Sequence, residues 1–421
     1  MERYIIEGGR PLEGSVRIQG SKNTVLPVMA AALLQRGTVC LRRCPKIADV
    51  RCMVEILKSV GAGIRWRGDC LLMDCRHVHT GEIPGAYADK MRSSIFFLGS
   101  LLPRCGRIAV SYPGGCTIGK RPVDLHLAVL KAMGARIWED SRGFCALADQ
   151  LHGCRYRFPK ISVGATENAV MAAATARGES FFSNCAREPE IVHLCRFLKL
   201  AGADIRGEGT TEIRVRGVRK LHPAEFTVPA DRIVAGTYLF IGAAVRGKIS
   251  LEDAPAGELE AVLDVYQKMG GQYEVKSGTL VTDSSRIGTP VPYVETAAYP
   301  GFPTDLQSPL AAVCATLAGK SRIREKIFED RFRAAVEMQK MGAAIRRDGN
   351  VLEISGGRLR GAGVCAWDLR GGAALVAAGL AAEGRTEILH PEYIDRGYEQ
   401  LEKNITLLGG KISRICGSIN A

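Results

Sequence analysis

The sequence predicts an α/β protein of two similar domains, and three observations carry that prediction. The chain has 421 residues, too many for one ordinary hydrophobic core. Amphipathic helical stretches alternate with β-rich runs from end to end, as in sheets with helices packed on them. One unit, finally, recurs six times.

Each copy closes an amphipathic helix with glycine and resumes as a strand: EILKSVGAGIRW, VLKAMGARIWED, RFLKLAGADIRG, VYQKMGGQYEV, EMQKMGAAIRR and NITLLGGKISR. The glycines are Gly61, Gly134, Gly202, Gly270, Gly342 and Gly409, spaced by 73, 68, 68, 72 and 67 residues. An alanine-rich helix earlier in each copy stops at a second glycine: Gly37, Gly106, Gly178, Gly247, Gly319 and Gly384. Glycine at these places predicts left-handed C-caps, which carry no Cβ penalty. A period near 70 residues exceeds the common solenoid repeats and predicts globular packing, three units to a domain. The sixth unit stops soon after Lys411–Ile415, while RYIIEGGRPLEGSVRIQG holds two strand-like runs with no helix before them. The N-terminus is therefore predicted to complete the last unit. One domain then spans residues 21–229, and the other residues 1–20 with 230–421.

Composition narrows the function. With 46% hydrophobic and 24% charged residues, the chain reads as a soluble globular protein. No stretch approaches the length of a membrane span, and Met1–Gly20 lacks the apolar core of a signal peptide, so a cytoplasmic protein is expected. None of the 14 cysteines forms a CxxC pair, and Cys40–Cys44 and Cys70–Cys75 lack histidines arranged for zinc. Most are expected to be small buried hydrophobes. The net charge of +13 is scattered, with only 6% aromatics to stack on bases, which favours an anionic small molecule over nucleic acid.

Anion sites are expected at helix starts, where first-turn amides lack partners. Ser21-Lys22-Asn23 opens the first alanine-rich helix, with Ser21 as N-cap and Lys22 as either an anion ligand or an exposed lysine. Lys160-Ile-Ser162-Val163-Gly164 opens another in the same style, and an ordinary cap is the commoner reading there. SYPGGCTIGKRPVDLH carries the strongest chemistry. It fails as a P-loop, because Arg121 stands where Ser or Thr should hold magnesium and Pro122 follows. What remains is a glycine-rich loop with one thiol, Cys116, beside Lys120 and Arg121, a setting that favours a reactive cysteine. Arg92, taken alone, reads as a surface cation and Asp305 as a helix cap. Asp368 with Arg370, and Asp395 with Arg396, read as local salt bridges more readily than as anion sites.

Together GSKNTVLP, KMRSS, YPGGCTIGKRPVDLH, KISVGAT, NCAREPEI, FPTDLQ, IFEDRF, the DLR at 368–370 and YIDRGYE resemble the enolpyruvyl transferases, in the branch acting on UDP-N-acetylglucosamine. That resemblance implies two domains of three βαβαββ units each, an inside-out α/β barrel, with the active site in the cleft between them. It implies transfer of the carboxyvinyl group of phosphoenolpyruvate to the sugar 3-hydroxyl through a tetrahedral ketal, with release of phosphate. By likeness, Lys22, Arg121 and Arg396 neutralise phosphate and carboxylate, with Arg92 and Arg370 assisting. Cys116 donates the proton to the methylene carbon or assists phosphate departure, and can attach to phosphoenolpyruvate. Asp305 is the candidate base. Asn23 contacts the sugar or the intermediate, and Arg121, Pro122, Val123, Asp124 and Leu125 hold uracil. Lys160, Ser162, Val163 and Gly164 serve the diphosphate and uridine, while Ile327, Phe328 and Arg331 complete the nucleotide-sugar pocket. No metal or organic cofactor is implied, nor a nucleic-acid or membrane partner, and the expected state is a monomer. The chain departs from the family at Ser21, Thr24 and Gly371-Gly372-Ala373, the last predicted to loosen the helix start beside Arg370. Rival readings are the shikimate 3-phosphate enzyme of the same fold and a sensor that binds these ligands without turnover.

Overall fold

The computed structural model describes residues 2–85, 92–111, 123–140 and 143–417. The chain forms two compact units, divided between Gln19 and Gly20 and again between Pro229 and Ala230.

All six glycines of the first series adopt positive φ, from 84° to 100°. At each, the glycine amide bonds the carbonyl three residues back and the next amide reaches five back. Gly61 and Ala62 thus donate to Lys58 and Leu57, and Gly409 and Gly410 to Thr406 and Ile405. This is the Schellman closure, in which the left-handed residue lets the chain turn from helix into strand. The second series divides. Gly106, Gly178, Gly319 and Gly384 have positive φ, but Gly37 and Gly247 do not. Those two are required for space: a Cβ would stand 2.2 Å from Pro223 Cγ at Gly37 and 2.4 Å from the Leu12 carbonyl oxygen at Gly247.

Each unit holds three small sheets. In the 20–229 unit, Thr38–Arg42, Gly63–Arg67 and Cys70–Asp74 form one sheet with Glu225–Thr227, which runs parallel to Thr38–Arg42. Arg107–Ser111 with Arg136–Asp140 and Gly143–Leu147 form the second, and four strands between Arg155 and Arg216 the third. In the other unit Glu13–Arg17 lies parallel to Lys248–Glu252. Glu2–Glu7 sits between Arg385–Leu389 and Lys411–Cys416, antiparallel to both. Most strands alternate more and less buried residues, so one sheet face is wet, though Gly143–Leu147 is buried almost throughout.

The centre of each unit is helical. Lys22–Ala32, Phe97–Cys105 and Val163–Ala173 occupy one, and Arg232–Ala244, Gln307–Ala315 and Leu369–Ala381 the other. These helices are buried nearly all round because they are apolar all round. Outer helices bury a single stripe, as Arg333–Lys340 does through Ala334, Ala335, Glu337 and Met338. Helices inside and sheets outside make the inside-out α/β arrangement in both units.

Six of the thirteen described cysteines are buried, six are intermediate and Cys416 is exposed, so partial burial is as common as full burial. Burial pushes the thiols of Cys75 and Cys185 up to about 12 and that of Cys314 to about 11, which keeps them protonated and inert. Among the described residues no helix is long and apolar enough to cross a membrane, and no His/Cys/Asp/Glu group could hold a metal ion.

Candidate functional site

The predicted residues collect where the buried helices begin. In the 20–229 unit, Ser21 caps Lys22–Ala32, its Oγ accepting the Thr24 amide at 3.2 Å. Lys22 is not an exposed lysine: its side chain is only 12% accessible, and its Nζ meets Asp49 Oδ2 at 2.6 Å. Asp49 comes from the first turn of Ala48–Ser59 and is itself buried. Asn23 is half-buried beside Lys22. Arg92 opens a 3-10 turn, Arg92–Phe96, ahead of the helix that begins at Phe97.

Ser162 caps Val163–Ala173 by accepting the Ala165 amide at 3.3 Å. Val163 and Gly164 follow half-buried, while Lys160 is exposed. The helix Asp124–Ala132 starts nearby, placing Val123, Asp124 and Leu125 at its first turn. A Cβ on Gly164 would come within 2.9 Å of the His126 ring, so glycine permits these two helix starts to meet. Asn168 ties them down, its amide nitrogen 2.7 Å from His126 Nδ1 and 3.1 Å from the Ile95 carbonyl. On the same helix Glu167 is fully buried. Burial first, then the nearby charges of Glu190 and Glu188, push its pKa well above the usual carboxylate range. Cys116, Arg121 and Pro122 lie outside the described residues.

In the other unit Asp305 stands in the 3-10 turn Thr304–Leu306, ahead of Gln307–Ala315. The cap reading does not hold for it. Its two carboxylate oxygens are taken by two arginines: Oδ1 by Arg331 Nη2 at 2.8 Å and Oδ2 by Arg370 Nε at 3.2 Å. Both guanidiniums are almost wholly buried. Burial alone lowers the Arg370 pKa, but Tyr398, Asp305 and Asp231 more than offset it and hold the cation charged. The Arg370 guanidinium also lies over the Tyr398 ring at 5.3 Å, and that of Arg331 over Phe328 at 5.2 Å. The structure thus brings together Asp305, Phe328, Arg331 and Arg370, with Ile327 exposed at the edge.

The carboxylates of the two adjacent acid–arginine pairs are engaged by other partners. Asp368 caps Leu369–Ala381, its Oδ1 accepting the amides of Arg370 at 3.0 Å and Gly371 at 2.8 Å. Asp395 is held by Arg414 through bonds of 2.6 and 3.1 Å, and Arg396 closes the turn Pro391–Arg396 half-buried. Nor is the glycine pair a slack helix start. A Cβ on Gly371 would lie 2.6 Å from Asp368 Oδ2, and one on Gly372 2.6 Å from Ile394 Cγ1. Neighbours already fill that space.

Sequence reasoning missed Asp49, Asp231 and Glu325, the last a buried carboxylate bonded to Thr304 and to the Ile327 and Phe328 amides. An acidic residue gives no local signal of its role when its partner arrives from a distant segment.

The sequence model of the EPSP synthase (3-phosphoshikimate 1-carboxyvinyltransferase) family matches residues 6–405. The chain is 42% identical to UDP-N-acetylglucosamine 1-carboxyvinyltransferase 2 of Caldanaerobacter subterraneus subsp. tengcongensis, covering 99% of this chain and all of that one. Among solved structures it resembles the enolpyruvyl transferase NikO from Streptomyces tendae, with TM-score 0.89, 25% identity and 98% of each chain covered. EPSP synthase from Acinetobacter baumannii, at 17% identity and TM-score 0.75 over 99% of this chain and 100% of that one, shares the fold. Two units of three repeats, buried helices opening on charged residues, and a match over nearly the whole length lead to one assignment: the chain belongs to the EPSP synthase family of enolpyruvyl transferases.

Proposed function

We propose that the protein transfers the carboxyvinyl group of phosphoenolpyruvate to the 3-hydroxyl of UDP-N-acetylglucosamine and releases phosphate. The observation that carries this reading is the 42% identity, over the full length of both chains, to a relative named for that activity. The reaction is the first committed step toward peptidoglycan, hence a cytoplasmic role in cell-wall synthesis and division, and the enzyme acts as a monomer.

The chemistry asks for fixed cations around charge that moves, and for one acid and one base. Lys22, Arg121 and Arg396, assisted by Arg92 and Arg370, neutralise phosphate and carboxylate. Cys116 serves the methylene carbon and phosphate departure, and Asp305 takes the proton of the sugar hydroxyl. For that step the Asp305 carboxylate must share an oxygen now held by Arg331 or Arg370, so substrate arrival and re-pairing of the arginines go together. Asn23 meets the sugar. Val123, Asp124 and Leu125, with Arg121 and Pro122, receive uracil, and Lys160, Ser162, Val163 and Gly164 the diphosphate and uridine. Ile327, Phe328 and Arg331 complete the sugar-nucleotide side. The paired helix starts at Val123 and Ser162 support this, since first-turn amides and the helix dipole favour a diphosphate.

Phosphate release from phosphoenolpyruvate, with UDP-N-acetylglucosamine or shikimate 3-phosphate as acceptor, tests the reading. Turnover is expected only with the nucleotide sugar, and Cys116→Ala is expected to lower it by about a hundredfold or more. Binding without turnover would point instead to a sensor.

A further inference from the structure

We propose that Glu325 is a positioning residue for the nucleotide sugar, acting through the Thr304 hydroxyl on Arg331; the inference rests on the function proposed above. Glu325 follows the strand Gly319–Arg324 and is 1% exposed. Its backbone is pinned on both sides, the amide donating to the Asn350 carbonyl at 2.8 Å and the carbonyl accepting Asn350 Nδ2 at 3.0 Å. Its carboxylate gathers four donors from three segments. Oε1 accepts the Thr296 hydroxyl at 2.7 Å, the Ile327 amide at 2.8 Å and the Phe328 amide at 3.1 Å. Oε2 accepts the Thr304 hydroxyl at 2.7 Å.

The direction of these bonds fixes the Thr304 hydroxyl. A carboxylate only accepts, so Thr304 must turn its single proton toward Glu325. That leaves an oxygen lone pair facing the other way, and Arg331 Nη1 donates to it at 2.9 Å. The same guanidinium reaches Asp305 through Nη2 at 2.8 Å. One buried charge therefore sets the orientation of Arg331, and with it Asp305, while holding the backbone of Ile327 and Phe328. Bonds to a buried carboxylate are charge-assisted and short, which suits a part that must not move.

Glu325→Gln separates this role from simple packing. The glutamine oxygen is expected at the Oε1 position, where three donors converge, leaving its NH2 against Thr304. Thr304 must then accept from the NH2 and turns its proton toward Arg331, so the two N–H and O–H donors face each other. The volume is unchanged and the loop amides keep their acceptor.

Steady-state kinetics of the full-length enzyme, varying each substrate in turn, test the proposal on wild type, Glu325→Gln, Thr304→Val and Thr304→Ser. Glu325→Gln and Thr304→Val are each expected to raise KM for UDP-N-acetylglucosamine about tenfold, the loss of one charge-assisted bond. KM for phosphoenolpyruvate should stay within about twofold, and Thr304→Ser, which keeps the hydroxyl, should behave as wild type. Should Glu325→Gln fail to fold, Thr304→Val alone decides. Equal rises in both KM values, or a folded variant with unaltered kinetics, would overturn the inference while leaving the reaction standing. A wild type that turns over no UDP-N-acetylglucosamine would overturn the reaction and the inference with it.

Discussion

The two units meet their buried charges differently. In residues 20–229 the ammonium of Lys22 faces the carboxylate of Asp49 at 2.6 Å. In the other unit one carboxylate, Asp305, lies between two guanidiniums at 2.8 and 3.2 Å. An ammonium is a compact charge on a flexible stem and can swing to a new partner with little rebuilding. A guanidinium is a rigid fork, and those of Arg331 and Arg370 are further fixed over the rings of Phe328 and Tyr398. The first arrangement suits the role proposed for Lys22, a cation that follows a phosphate. The second suits the role proposed for Asp305, because one guanidinium keeps the carboxylate placed while a hydroxyl shares the oxygen held by the other.

Removing the shared anion should break the second arrangement most severely. Asp305→Ala leaves two guanidiniums in a buried site and removes the proposed base, so turnover should fall by about a hundred- to ten-thousandfold. Chemical denaturation should show a loss of roughly 3 kcal/mol, the cost of uncompensated buried charge. An unchanged rate would remove Asp305 from the chemistry.

A smaller effect is expected at the Lys22–Asp49 pair. Asp49→Asn keeps a polar partner for Lys22 but takes away its counter-charge. Inorganic phosphate, measured by titration calorimetry, should then bind about threefold more tightly, because an entering anion no longer competes with Asp49. The melting temperature should fall in the same variant. Weaker phosphate binding would mean that Asp49 orients Lys22 more than it neutralises it.

The smallest effect concerns Glu167, which is buried with the acidic side chains of Glu190 and Glu188 near it. Its pKa is raised on folding, so its contribution is fully present below the unfolded value, about 4.3, and is lost as pH rises through the folded pKa. Glu167→Gln, already neutral, should melt higher than wild type at pH 8, and the gap should close toward pH 4. A gap independent of pH would show that packing, not ionisation, separates the two.

The repeat was legible because helix closure is local: a glycine after an amphipathic helix is enough to expect Gly61 and its five equivalents in left-handed geometry. Gly37 and Gly247 escaped that logic because what demands glycine there, Pro223 and the Leu12 carbonyl, comes from far along the chain. The site divides the same way. Lys22, Asp305 and Arg370 stand in recognisable motifs, but the partners that define their state do not. Asp305 and Arg370 lie 65 residues apart, and Asp368, two residues from Arg370, spends its oxygen on backbone amides instead. Proximity in sequence promised a salt bridge there, and the N-cap took precedence.

Insertion of the strand Glu2–Glu7 between Arg385–Leu389 and Lys411–Cys416 has a consequence for synthesis on the ribosome. Glu2–Glu7 must wait for Lys411–Cys416, made about 400 residues later, or roughly 20 to 80 seconds at ordinary translation speed. Residues 20–229 close their own sheet with Glu225–Thr227 and can finish while the remainder is still being made. The younger half of the polypeptide thus completes a unit whose opening strand has been kept in reserve, and an N-terminal fusion that occupies that strand would stall the assembly of the C-terminal sheet first.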